Sequence, residues 1–99
     1  MNLSRYDDLL NKRNGTPNLP SPLTKLREEC LELALAIEHY QQGRATAIEL
    51  GTELADVLLT GRGVILSKGE DFLRYVNGQM EFKANRLLQM LLIQDKQNE

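Results

Sequence analysis

Between Ser21 and Lys68 the chain holds two stretches of about twenty residues, each apolar around most of its circumference and polar along one flank only. In the first, Leu26, Cys30, Leu33, Ile37 and Tyr40 form one apolar stripe, and Leu31 and Leu35 lie roughly opposite. Its polar flank is Lys25, Glu28, Glu29, Glu32 and His39. The second stretch repeats the plan. Leu50, Leu54, Val57 and Val64 make one stripe, and Ile48, Ala55, Leu59 and Leu66 another. Its polar flank carries Glu49, Thr52, Glu53, Asp56 and Thr60. A helix apolar on nearly all sides has to be buried nearly all round. A 99-residue chain can hardly cover both faces of two such helices, so the pattern predicts a homo-oligomer.

Local signals set the element boundaries. Leu3 to Lys12 reads as a short helix, ended by the turn-forming run Asn14-Gly15-Thr16-Pro17-Asn18-Leu19-Pro20. Ser21 with Pro22 is an N-cap followed by a first-turn proline, and Gly43 supplies a stop after about Gln42. A second long helix is expected from Ala45 or Thr46 to Lys68, closed by Gly69. Glu70 to Val76 reads as a short third helix, Asn77-Gly78 as a turn, and Gln79 to Asp95 as the last helix. Strand signals are absent. The expectation is one all-α domain over residues 1–99, two long antiparallel helices with shorter ones around them.

The acidic residues sit on the only polar strips of the two long helices. Residues three or four apart are surface neighbours on a helix, so Glu28-Glu29-x-x-Glu32 and Glu53-x-x-Asp56 each stack like charges. A short connection makes the two helices antiparallel neighbours, so the clusters can meet. Two repelling carboxylate clusters face to face are best offset by a hard divalent cation, which prefers several carboxylate oxygens. Solvated glutamate faces are the bland alternative.

Other chemistries find little support. A net charge of −2 leaves no basic footprint for nucleic acid, and no apolar run reaches membrane-span length. The single cysteine, Cys30, and an N-terminus without an apolar centre fit a cytoplasmic protein. Cys30 has no partner spacing for zinc, and Gly61-Arg62-Gly63 lies inside a helical pattern, where helix packing or a kink explains it. Tyr40 is expected in the core, and His39 either borders a pocket or simply meets the helix dipole. A di-iron carboxylate bundle calls for Glu-x-x-His pairs, which His39 does not form.

Lys25-Leu26-Arg27-Glu28-Glu29-Cys30-Leu31-Glu32, with Glu53-Leu54-Ala55-Asp56-Val57-Leu58 after it, resembles the MazG-like nucleoside triphosphate pyrophosphohydrolases. The likeness covers about Leu23 to Leu59 and rests on the E-E-x-x-E and E-x-x-D pattern. It implies an all-α bundle completed by oligomerisation, a tetramer built from dimers. It implies Mg2+-dependent (or Mn2+-dependent) hydrolysis of a nucleoside triphosphate between the α- and β-phosphates, clearing surplus or non-standard nucleotides. It further implies that Glu29, Glu32, Glu53 and Asp56 ligate the metal. Glu28 would bridge metals, support the ligands or orient the attacking water. Family members often carry Lys, Asn and Arg on a late helix to hold phosphates. Lys83, Asn85 and Arg86 stand there in tighter spacing, with Lys83 and Arg86 able to share a face and Asn85 pointing elsewhere. Lys25 is a further phosphate-binding candidate, or an ion-pair partner of Glu28 or Glu29. The competing expectation is a non-catalytic helical assembly or adaptor domain that keeps the fold.

Overall fold

The structure is a computed structural model that describes residues 2–98. It is all-helical: a 3-10 turn at Leu3–Tyr6 leads into α1 (Asp7–Asn14), followed by α2 (Pro22–Gln41), α3 (Ala47–Lys68) and α4 (Glu70–Gln97). No strand occurs among the described residues, and none of their helices is long and apolar enough to cross a membrane.

The capping chemistry explains the boundaries. Ser21 Oγ accepts from the Thr24 amide at 3.1 Å, with Pro22 in the first turn. This satisfies one of the orphan donors that every helix start leaves. α3 begins at a reciprocal capping box. The Thr46 amide donates to Glu49 Oε2 at 2.8 Å, and the Glu49 amide donates to Thr46 Oγ1 at 3.1 Å. Gly43 and Gly69 follow α2 and α3 with φ of 72° and 97°, backbone that a Cβ would strain.

Two expectations change. The N-terminal helix is divided, because Asn2 Oδ1 accepts from the Ser4 amide at 3.1 Å and starts a 3-10 turn before α1. Asn77-Gly78 does not turn. It lies within α4, which is continuous over 28 residues. A single interior glycine costs about 1 kcal/mol relative to alanine. An unbroken ladder of backbone hydrogen bonds absorbs that cost where no proline interrupts it. A Cβ at Gly78 would meet nothing within 4 Å, so packing does not require glycine there.

Backbone contacts divide the chain into two compact units, Met1–Ser67 and Lys68–Glu99. In the first, α1 lies on the C-terminal half of α3. Arg62 Nε and Nη2 form a fork onto the two Asp7 oxygens at 2.9 and 2.8 Å. Asn14 Nδ2 donates to the Gly63 carbonyl at 3.1 Å. Gly63 faces α1, and an ideal Cβ there would stand 3.7 Å from Leu10 Cδ2, an ordinary contact, so packing does not require glycine. Leu10, on α1, and Val64, on α3, are the buried apolar side chains among the described residues.

Arg62 holds the Asp7 carboxyl below its ordinary value of 3.8, chiefly through the hydrogen bond. A lowered carboxylate pKa stabilises the fold above the unfolded value and loses that contribution as pH falls through the folded one. Urea unfolding of Asp7→Asn is therefore expected to show lower stability than wild type at pH 7. The difference should close as pH drops below about 4. A constant difference over that range would detach the pH response from this pair.

The second unit is α4. It exposes Phe72, Tyr75, Met80, Phe82, Leu87, Leu88 and the run Met90 to Ile93 along its length. Exposure is not confined to α4. Leu31, Leu35, Ile37 and Tyr40 on α2 and Leu54 on α3 are also exposed in the single chain, as is Cys30. Tyr40, expected in the core, is instead 44% exposed, and its stripe neighbours Cys30 and Ile37 are exposed too.

Candidate metal centre

The five-residue connection 42–46 returns the chain antiparallel along α2 and brings the two acidic flanks together. Glu29 from α2 and Glu53 and Asp56 from α3 each place a carboxylate oxygen within 4.8 Å of the others. Glu29 is 5% exposed, the one buried charged residue among those described. Its Oε1 lies 3.0 Å from Lys25 Nζ. Its Oε2 has no hydrogen-bond partner, and neither does the buried Glu53 Oε2.

Two buried, orphaned carboxylate oxygens side by side are costly. A buried charge is tolerated when it is paired or bound to a metal. Lys25 neutralises one oxygen of one glutamate and leaves the rest of the cluster negative. The donor set fits a hard divalent cation: oxygen only, anionic, drawn from two rigid helices. Opposite oxygens of octahedral Mg2+ stand about 4.2 Å apart. Neighbouring oxygens of that shell stand about 3 Å apart, so the three oxygens, within 4.8 Å of one another, would close in around a bound ion.

Glu32 stands one turn further along α2, at the edge of the cluster. Its carboxyl is held above its ordinary value of 4.5, first by the charge of Glu29, then by partial burial, by hydrogen bonding to Glu29 and by Glu53; Lys25 opposes them. Glu28 faces outward. Its side chain is 53% exposed and its nearest cation is Lys25 Nζ at 3.8 Å. Lys25 thus takes the ion-pair role, and Glu29 is the main cause of its raised pKa. Three of the five sequence-selected carboxylates converge, one borders them and one does not join them.

Cavities flank the cluster in both directions along the helix pair. Towards the 42–46 connection lies a cleft of about 410 Å3, lined by Glu32, Leu35, Ala36, His39, Arg44, Ala45, Glu49 and Glu53. Towards the start of α2 and the later turns of α3 lies an apolar cavity of about 320 Å3. Leu9, Leu10, Pro22, Leu59 and Gly63 contribute to it, together with Arg13 and Lys25. His39 therefore borders a cleft, one of its two expected roles. Arg44 had no signal in the sequence beyond its position in a connection too short to carry it away from the helix ends.

Lys83, Asn85 and Arg86 lie on α4 in the second unit. Lys83 and Arg86 line a groove of about 180 Å3 with Leu87 and Met90, and Asn85 is not among its lining residues. The Arg86 guanidinium sits 6.0 Å from the centre of the Phe82 ring. The shared face of Lys83 and Arg86 is as the spacing implies.

Comparison of the chain with protein-family models, with curated proteins and with solved structures gives no match.

Proposed function

We propose that the protein is a divalent-cation-dependent nucleoside triphosphate pyrophosphohydrolase with a MazG-like bundle, and that Glu29, Glu53 and Asp56 hold the cation. The observation that carries this reading is the convergence of those three carboxylates around the buried Glu29, with the Oε2 atoms of Glu29 and Glu53 buried and lacking any partner. Glu32, at the rim beside Glu29 and Glu53, would be a further ligand of the cation. Bound there, Mg2+ or Mn2+ neutralises carboxylates and triphosphate, polarises phosphoryl oxygens and lowers the pKa of a bound water.

The reaction needs a water oxygen to bond to phosphorus at the α–β bridge. The bridging P–O bond breaks, its electron pair leaves with pyrophosphate, and the proton lost by the water passes to solvent. Positioning and charge stabilisation supply most of such catalysis. α2 and α3 serve both by fixing the carboxylates on rigid elements. Lys25 anchors Glu29 and stands at the mouth of the apolar cavity, where it can exchange its ion pair for a phosphate. Lys83, Asn85 and Arg86 are further phosphate ligands in this reading, and Glu28 supports the centre from outside.

The exposed apolar stripes favour assembly. A tetramer built from dimers would cover Leu31, Leu35, Ile37 and Leu54, together with the Met80 to Ile93 face. Light scattering is expected to return a homo-oligomer, and a stable monomer would remove this part of the proposal. The same exposed faces sustain a second reading, a non-catalytic assembly domain that operates through α4. The exposed thiol of Cys30 suits a reducing cytoplasm in either case.

Product analysis separates the two. The purified protein is incubated with a panel of ribo- and deoxyribonucleoside triphosphates, with Mg2+ and with EDTA. Monophosphate plus pyrophosphate, formed with Mg2+ and lost with EDTA, is the expected result. A folded, Mg2+-supplied protein that turns over none of the panel would favour the assembly domain.

A further inference from the structure

The cleft and the apolar cavity differ in chemistry, and the carboxylate cluster separates them along the helix pair. Going from the cluster towards the 42–46 connection, α2 presents Glu32, Leu35, Ala36 and then His39 to the cleft, and Arg44 and Glu49 stand at its far end. Glu32 and His39 are seven residues apart, about 10 Å along the helix axis. Glu32 and Glu53 belong to the cation cluster. Glu49 is engaged in the capping box, where its Oε2 accepts from the Thr46 amide at 2.8 Å. Arg44 is exposed, its Nη1 donates to Gln42 Oε1 at 3.2 Å, and no described carboxylate lies within ion-pair distance of it. The far end of the cleft therefore offers a guanidinium uncommitted to any carboxylate, with an imidazole beside it.

We infer that this cleft receives the pyrophosphate half of the substrate, with Arg44 as a ligand of its terminal phosphate, and that the nucleoside lies towards the apolar cavity. The inference rests on the pyrophosphohydrolase reading and adds the direction in which the substrate lies. With the scissile bridge at the carboxylates, one half of the substrate must extend each way. The β- and γ-phosphates are the more anionic half and gain negative charge as the bridge breaks. A guanidinium fork matches phosphate oxygens two at a time. The other cavity is walled mostly by Leu9, Leu10, Pro22, Leu59 and Gly63, and its two cations are already engaged, Lys25 with Glu29 at 3.0 Å and Arg13 with the Pro20 carbonyl at 2.6 Å. An apolar enclosure of that kind suits a base or sugar face and penalises a polyanion.

Product inhibition tests the direction. In wild type and in Arg44→Ala, the inhibition constants of inorganic pyrophosphate and of the nucleoside monophosphate are measured at fixed Mg2+. Arg44→Ala is expected to weaken pyrophosphate inhibition about tenfold, the loss of one charge-assisted contact, and to leave monophosphate inhibition unchanged. Arg44→Lys should recover part of the loss, and the melting temperatures of all three proteins should agree. Weakened monophosphate inhibition with unchanged pyrophosphate inhibition would reverse the direction and overturn the inference. Equal inhibition of wild type and Arg44→Ala by both products would also overturn it. Either result leaves the pyrophosphohydrolase reading standing, because wild-type turnover is scored in the same assay. A wild type that forms no pyrophosphate removes both.

Discussion

Glu53→Gln is expected to keep the helical fold and to lower triphosphate turnover about a thousandfold or more. A single group that stabilises developing charge is worth about 10²–10³ in rate, and this substitution also removes an anionic ligand of the cation. Glutamine has almost the shape of glutamate, so packing changes little. Stability of the metal-free protein should stay level or rise. Glu53 Oε2 is a buried carboxylate oxygen without a partner, and its charge acts on Glu32 beside it. Removing that charge relieves repulsion. Asp56→Asn is the matching variant on the next turn of α3 and should behave alike. Circular dichroism and the product assay, run on the same preparations, check both halves of the expectation. Full activity in either variant would exclude these residues from the site. A variant that unfolds would give them a structural role instead.

Leu10→Ala should be the most damaging single change to stability in the first unit. Leu10 and Val64 are the only apolar residues buried below about a tenth of their surface among those described. Leu10 meets α3 at Gly63, its Cδ2 3.7 Å from where a Gly63 Cβ would stand. Leucine-to-alanine changes in a core cost about 2–5 kcal/mol, less where the site collapses. A cost of about 3 kcal/mol is a large share of the 5–15 kcal/mol that typically holds a domain together. Urea unfolding measures it. Gly63→Ala is the control, because its new methyl would stand 3.7 Å from Leu10 Cδ2, an ordinary contact. Little cost from Leu10→Ala would mean that α1 contributes little to the unit.

The helical class and the α2 and α3 boundaries were legible because they depend on local chemistry. Ser21-Pro22, Gly43 and Gly69 act within one turn of themselves, and each does what its type requires. The convergence of Glu29, Glu53 and Asp56 was legible for a related reason: a short connection leaves two helices few ways to lie. Glu28 was harder to place. Adjacent residues on a helix diverge by about 100°, so Glu28 and Glu29 cannot share the cluster, and only the packing of α3 decides which one enters. Asn77-Gly78 misled because a turn dipeptide acts only where the flanking segments fold back, and α4 continues through it. Arg44 was invisible, since its importance comes from the wall of a cleft made by residues before and after it. Tyr40 and Cys30 lie on an apolar stripe by pattern but are exposed in the single chain, since periodicity alone does not say which stripe is covered.

The most direct test of the metal centre is a Mn2+ titration of the wild-type protein and of Glu53→Gln, read by the loss of the free-ion signal in electron paramagnetic resonance. The account predicts saturable binding to wild type that weakens about 10- to 100-fold or more in the variant, at least the effect expected for disturbing the support of a metal site. Equal binding by the two proteins, or none by a folded wild type, would contradict the assignment of Glu29, Glu53 and Asp56 as cation ligands.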